Sequence, residues 1–281
     1  MTDNDIEGMD GRTVLITGST DGLGRELAVR LGAAGARVIV HGRDAERAAR
    51  VAEEIAAAGG PASDIVLADL SELAEVDRLA TEIGSRTTRL DVLVNNAGIG
   101  FGRPGSGREL SADGIELRWA VNHLAPYRLT RRLLPLLTAA APARVVNVAS
   151  AGQQAIDFDD PMLDRGYDGI AAYRRAKLAQ IMATYDLAEE LAGSGVTVNA
   201  LHPATFMATT MVAEAGGTPI STIAEGAAAT LRLIADPALA ETTGRYFNGT
   251  RPGQVHPQAA DPLARKRLRE ITDQAIAGVL G

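Results

Sequence analysis

Tyr173 and Lys177 stand four residues apart in a chain of 281 residues that has only two lysines. A phenol is a poor proton carrier near neutrality, because its ordinary pKa is about 10. A fixed ammonium nearby favours the phenolate and draws that value down. Residues four apart share one face of a helix, so the spacing predicts hydroxyl and ammonium side by side. Such a pair could give a proton to a carbonyl oxygen or take one from an alcohol.

A second constellation lies near the start of the chain, in Thr17-Gly18-Ser19-Thr20-Asp21-Gly22-Leu23-Gly24. It follows a short apolar run and precedes a helical pattern. Glycines there permit a tight turn, close approach of backbone to a pyrophosphate, and close helix–sheet packing. The helix start then offers N–H groups and a positive dipole end to phosphates. The second strand ends in His41-Gly42-Arg43, with glycine where an NAD-selecting carboxylate would stand. Arg43 suits a 2′-phosphate instead, so NADP(H) is favoured and NAD(H) remains possible. The bland alternative makes Arg43 a solvated turn residue and Asp44 a helix cap.

Positioning these groups requires strands and helices in alternation. Apolar runs predict strands at 14–17, 37–41, 65–67, 91–94, 144–148, 196–201 and 246–247. Helical spacing fills the intervals: 22–34, 45–58, 71–83, a long helix over 111–137 with a break at Pro126, 169–191, 221–234 and 262–280. The pattern implies an α/β fold, a doubly wound, mostly parallel seven-stranded sheet with helices on both faces. Ligands then sit at the carboxyl ends of the strands. One domain over 1–281 is expected, with a flexible tail at 1–10 and a C-terminal extension at 250–281.

The bulk numbers exclude much. A net charge of −7 argues against nucleic acid as main partner. The clusters Arg128/Arg131/Arg132 and Arg265/Lys266/Arg267/Arg269 read as solvated helix faces. Zero cysteines exclude disulfides and thiolate chemistry, and four scattered histidines show no metal-ligand spacing. No apolar run is long enough to span a bilayer, and residues 1–10 do not read as a signal peptide, so a cytoplasmic location is expected.

Glycine turn, Asn95-Asn96-Ala97-Gly98 after the fourth strand, and Tyr173-x-x-x-Lys177, in this order, resemble the classical short-chain dehydrogenase/reductase family. The resemblance covers nearly the whole chain and implies a Rossmann fold. It implies a carbonyl/alcohol oxidoreductase using NAD(P), in which Gly18 to Gly24 hold the phosphates, Asp69 and Leu70 flank the adenine, and Asn95, Ala97 and Gly98 line the ribose and brace the sheet. Asn122 would hold a water in the proton relay, Ser150 would bond the substrate oxygen, and Tyr173 would be the acid/base. Lys177 would bind the nicotinamide ribose and lower the Tyr173 pKa, with Pro203 and Thr205 beside the nicotinamide. Ala204 and Ala208 depart from the family pattern. A hydroxyl that would touch the cofactor amide is missing at Ala208, and Thr209 or Thr210 could supply one.

Val121-Asn122-His123-Leu124-Ala125 and Gly244-Arg245-Tyr246-Phe247 resemble the retinol dehydrogenase-like branch. The extra stretch Asp157–Leu163 either shapes the substrate mouth or is an inert insertion. Phe101, Phe158, Met162, Phe206, Met207 and Met211 fall in loops that could line a lipophilic mouth. The resemblance implies a homodimer or homotetramer. Two competing readings stay open: a catalytically silent NADP-sensing module, and a nucleotide-sugar epimerase or dehydratase.

Overall fold

A computed structural model describes residue 6, residues 8–103 and residues 105–281. The strands are β1 (Thr13–Ile16), β2 (Arg37–Gly42), β3 (Asp64–Leu67), β4 (Val92–Asn95), β5 (Ala143–Val148), β6 (Val196–His202), β7 (Arg245–Asn248) and β8 (Arg251–Pro252). They form one sheet in the order β3-β2-β1-β4-β5-β6-β7-β8. All neighbours are parallel except β7 and β8. The expected seven strands become eight, because β8 is a two-residue return too short to leave a periodic signal. Strand order reverses between β1 and β4, which opens a crevice at their carboxyl ends.

The helices are α1 (Gly22–Ala33), α2 (Ala45–Ala57), α3 (Leu73–Arg86), α4 (Leu117–Trp119), α5 (Ala125–Ala139), α6 (Gly169–Glu190), α7 (Thr210–Glu214), α8 (Ile223–Ala235), α9 (Pro257–Ala260) and α10 (Pro262–Leu280). Alternating strand residues serve opposite layers. Val14, Ile16, Val38, Val40, Val92 and Val94 face α1, α2 and α8. Leu15, Ile39, Val66 and Leu93 face α3 and α5. Trp119, α6 and α10 enclose a third cluster with Leu178, Ile181, Met182, Leu268 and Ile276. These strands are buried on both faces, so they read as unbroken apolar runs.

The long helix expected over 111–137 differs at its start and its break. It begins at Leu117, and α4 runs into α5 through a π-turn at Ala120–Leu124. Pro126 causes no break: the backbone stays helical up to it, and the π-turn lies directly before the residue that has no N–H to give. The irregularity falls instead around Asn122, and π-turns of this kind favour functional sites.

Residues 1–5 and 7 of the expected tail lie outside the described residues. Ile6 and Met9 are buried in the first core cluster, so these two side chains pack on the fold. The basic clusters are also not mere solvated faces. Arg128 pairs with Asp77 at 2.7 Å and Arg131 with Glu190 at 2.7 Å. Buried Arg265 bonds Asp186 at 3.0 Å and Glu189 at 2.5 Å, which fixes α10 on α6. Tyr127 also donates to Asp273 at 2.8 Å, so α5 holds the same helix.

Candidate active site

The glycine turn is shaped by backbone sterics. Gly18 and Gly22 have φ of +64° and +51°, the left-handed region that favours glycine. Gly24 needs its missing β-carbon for another reason: one there would lie 2.2 Å from the Gly18 carbonyl oxygen and 2.5 Å from Asn96 Nδ2. Thr17 and Asn96 lock this turn to the end of β4. Asn96 Nδ2 donates to the Thr17 and Gly18 carbonyls, and Thr17 Oγ1 accepts from the backbone of Asn96 and Ala97, all within 2.9–3.1 Å. Neither side chain was singled out from sequence, although both lie inside the motifs.

Several expected cofactor contacts face elsewhere. Ser19 is wholly buried, and its hydroxyl accepts from His41 N at 2.9 Å. The Leu23 and Leu70 side chains are core residues, leaving only their backbone for a ligand. Asn95 is buried and donates to Thr130 Oγ1 and Asn147 Oδ1, so it braces the sheet and does not line a ribose pocket. Thr20, Ala97 and Gly98 are partly exposed at the crevice. Asp21 caps α1 through Gly22 N at 2.8 Å and accepts from Thr210 Oγ1 at 2.7 Å. The Thr210 bond leads in holding its carboxyl below the ordinary range; burial opposes this, and Gly22 and Arg47 assist.

Arg43 is exposed at the end of β2 and meets Asp69 at 3.4 Å. Burial pushes the Asp69 carboxyl up, but bonds from Ser71 and the charge of Arg43 outweigh it, leaving the pKa below the ordinary value. A side chain at Gly42 would place its β-carbon 2.5 Å from Thr20 Cγ2, so no carboxylate fits there without displacing Thr20. Asp44 caps α2, accepting from Glu46 N and Arg47 N.

Ser150 follows β5, and Tyr173 and Lys177 lie on α6. The Ser150 hydroxyl is beside Tyr173 and favours its phenolate, but burial dominates and raises the phenol's pKa. Lys177 Nζ donates to Val148 O at 2.7 Å and Gln180 Oε1 at 3.3 Å. Burial lowers Lys177 to about 7. This corrects the simple expectation of a phenol drawn toward neutrality by its neighbour: the ammonium's partners are a carbonyl and an amide. A β-carbon on Gly98 would lie 3.0 Å from Asn122 Oδ1 and 3.4 Å from Lys177 Nζ, so these three converge. Asn122 is buried in the π-turn. Its Oδ1 accepts from Ile99 N at 2.9 Å and its Nδ2 donates to Ile99 O at 3.0 Å, bracing the loop after β4.

That loop carries Phe101, whose ring meets Tyr173 edge-on with centroids 5.9 Å apart. Buried Arg118 fixes it by donating to Gly100 O at 3.2 Å, while pairing with Glu109 and buried Glu116. Tyr167 donates to Glu116 at 3.1 Å and ties in the segment before α6. Tyr246 holds Ser150 from β7, donating to its carbonyl at 3.0 Å. Nothing in the local sequence shows the bond of Glu116 to Tyr167, 51 residues on, or that of Tyr246 to Ser150, 96 residues back, although Tyr246 stands in the Gly244–Phe247 motif.

The Asp157–Leu163 stretch is anchored. Asp160 accepts from Asp164 N and Arg165 N, and Arg175 donates to Asp160 O. Just before it, Gln258 of α9 clamps Ile156 with bonds of 2.7 and 2.9 Å. Among the expected mouth residues, Phe158, Met162 and Met207 pack largely on the core. Phe206 is 46 % exposed with φ of +45°, and Met211 lies against Gly100. Pro203 is buried, and Thr205 is held by His202 at 2.9 Å. Thr209 caps α7 only by backbone, while Thr210 reaches Asp21.

The chain belongs to the short-chain dehydrogenase family, whose model matches residues 12–219. Mouse retinol dehydrogenase 14 is 35% identical over 97% of this chain and 87% of its own length. A Streptomyces protein provisionally named daunorubicin C-13 ketoreductase DnrU is 36% identical over 96% of this chain and 94% of its own. The expected likeness to retinol dehydrogenase-like enzymes therefore holds, and the chain is an oxidoreductase of the CH–OH/C=O class using NAD(P). Among solved structures, an NADP complex of Pseudomonas aeruginosa RhlG matches with a TM-score of 0.72 and 32% identity, covering 87% of this chain and 96% of that one. No helix among the described residues is long and apolar enough to cross a membrane.

Proposed function

We propose that the protein is an NADP(H)-preferring reductase of lipophilic ketones or aldehydes, reversible toward the alcohols, with Tyr173 as acid/base. The supporting observation is that Lys177, Asn122 and Gly98 meet after β4 while Ser150 stands beside Tyr173 after β5, at the carboxyl ends of two neighbouring strands. The residues present suit a dinucleotide. Gly18 and Gly22 form a backbone cradle at the start of α1, and a β-carbon at Gly24 would disrupt it. Arg43 is exposed at the ribose end of β2 and would face a 2′-phosphate, while Thr20 leaves no room for a carboxylate at 42. NADPH, when bound, supplies the hydride.

The chain's own residues do the remainder. Ser150 orients the substrate oxygen. Tyr173 Oη gives its proton to that oxygen in reduction and recovers it in oxidation. Burial keeps the phenol protonated at neutral pH, which suits the donor role. Lys177 is held on the Val148 carbonyl beside Asn122 and Gly98, where its ammonium would meet the nicotinamide ribose. Phe101 and Phe206 give the mouth an apolar lining, consistent with the lipophilic substrates in the relatives' names.

The test is an absorbance assay of NADPH and NADH against a panel of aliphatic, aromatic, steroid and retinoid carbonyls. Turnover with NADPH is expected on the apolar members. Tyr173→Phe is expected to abolish turnover while leaving NADPH affinity within a few-fold. Retained turnover in that variant overturns the assignment, and cofactor binding without turnover on any carbonyl favours the sensor reading.

A further inference from the structure

The Gly244–Phe247 motif has no part in the proposed chemistry, yet its tyrosine reaches the site. β7 stands two strands from β5 in the sheet, and Tyr246 crosses that gap to Ser150. Its hydroxyl donates to the Ser150 carbonyl at 3.0 Å, and the residue is only 4% exposed. Burial leads in raising the phenol's pKa to about 12, so it is a neutral donor at physiological pH. The sheet explains why this bond is needed. Pairing of β5 with β6 ends at Val148 and Leu201, and the Ala149 N–H closes it on the Leu201 carbonyl at 2.8 Å. The Ser150 carbonyl lies beyond that last rung and is held by a side chain instead.

The serine hydroxyl is held from the same loop. Gly152 N donates to Ser150 Oγ at 3.0 Å. A hydroxyl has one proton to give and two lone pairs. With Gly152 on one lone pair, the proton is left for Tyr173 or for a substrate oxygen beside it. The bond from Tyr246 fixes the plane of the peptide that follows Ser150. Turning that plane would carry the Gly152 N–H off Oγ.

The ring of Tyr246 is seated from its other side. β8 brings the chain back antiparallel to β7, and Gly253 N donates to the Tyr246 carbonyl at 2.9 Å. A β-carbon on Gly253 would lie 2.6 Å from Tyr246 Cε1 and 2.7 Å from Cδ1, so a glycine lets the return close over the ring. Farther on, His256 N donates to Gln153 Oε1 at 2.8 Å, and Gln258 clamps Ile156. The stretch 246–258 thus holds the loop after β5 at Ser150, Gln153 and Ile156. We propose that Tyr246 is a positioning residue for Ser150: its hydroxyl fixes the peptide plane after the serine, and that plane fixes where the serine's proton points. The role of Ser150 toward substrate rests on the function proposed above; the placing of its hydroxyl does not.

Tyr246→Phe removes one oxygen and keeps the ring under Gly253. Amide hydrogen exchange of the full chain, followed by NMR, tests the placing without any substrate. The Gly152 amide is expected to exchange roughly ten-fold faster in the variant, while the amides of β1 keep their rates. A general loosening of the fold would speed both, and an unchanged Gly152 rate would mean that the serine is placed without Tyr246; either result overturns the inference. Kinetics on a carbonyl that the parent reduces test the consequence. kcat is expected to fall roughly ten-fold, with KM and NADPH affinity within about two-fold. A loss confined to KM, or an unchanged kcat, overturns the inference. Gly253→Ala keeps the hydroxyl but crowds the ring, and the same changes are expected in smaller measure. Parent-like exchange and kcat in Gly253→Ala overturn the inference even if Tyr246→Phe does not fold. Should the parent reduce no carbonyl, the proposed function fails, and the Gly152 exchange rate still decides whether Tyr246 places the serine.

Discussion

The nucleotide end of the crevice and its substrate end are built by different means. Around Gly18 to Gly24 and Asn96, geometry is set by backbone turns and by glycines that admit no side chain. Around Phe101, Tyr173 and Ile156, loops are held by side chains reaching across the fold: Arg118, Tyr246 and Gln258. The first construction admits few substitutions, whereas the second can vary its residues and keep its frame. A common cofactor with differing substrates calls for that division.

The sharpest way to break this comparison is a pair of glycine substitutions. Gly24→Ala would put its β-carbon 2.2 Å from a backbone oxygen, with no flexible chain to yield. NADPH binding, measured by fluorescence titration, is expected to be lost, or the chain not to fold. Gly152→Ala, beside Ser150, meets nothing closer than 3.5 Å. Turnover is expected within a few-fold of the parent. Equal tolerance at the two positions would remove the distinction.

Next in size is the buried ion pair of the substrate end. Arg118 and Glu116 are 2% and 1% exposed. Arg118→Met leaves Glu116 buried without its cation, which costs about 3–5 kcal/mol. Urea unfolding should show that loss, and Arg118→Met with Glu116→Gln should recover much of it. Released from Arg118, the Gly100–Phe101 segment should lower turnover more than it weakens NADPH binding.

The same division explains what the sequence made legible. Strand runs, the glycine turn and the Tyr173–Lys177 spacing are local patterns, and the elements carrying them lie within two or three residues of expectation. Residues whose meaning depends on a distant partner were not legible. Arg265 read as a surface charge because Asp186 and Glu189 lie far away in the chain. Asn122 stood out by motif, but its bonds to Ile99 follow from a π-turn that helical periodicity does not show. Ser19, Leu23 and Asn95 sit inside nucleotide motifs yet face the core, because a motif fixes the backbone path and not the direction of each side chain.

Acid stability draws on both ends at once. Burial lowers His41 to about 4 and His123 to about 3, against an ordinary value of 6.5. Each stays neutral in the fold and takes a proton on unfolding. Their effect is absent above pH 6.5, and stability falls as pH drops from there toward about 4. Each contributes a slope of about 1.4 kcal/mol per pH unit. His41 Nδ1 accepts from Gly18 N at 3.0 Å, and Asn at that position can keep the acceptor. His41→Asn is therefore expected to remove its own share of the acid slope in urea melts between pH 6 and pH 5, while His123 and His202, both lowered by burial, keep theirs. An unchanged slope would assign the acid sensitivity elsewhere.

The smallest effect expected concerns Arg43, which is exposed and pairs with Asp69 at 3.4 Å. Solvent weakens such contacts, so Arg43→Ala should weaken NADPH binding by about five-fold and leave NADH unchanged. Asp69 makes the sign testable in the opposite direction. Asp69→Asn keeps an acceptor for Ser71 N, which Asp69 holds at 2.9 Å, but releases the guanidinium from a competing charge. Preference for NADPH over NADH should then rise. If both variants leave the ratio of the two affinities where it was, Arg43 does not read the 2′-phosphate, and the nucleotide end owes its selectivity to the close contact between Gly42 and Thr20 alone.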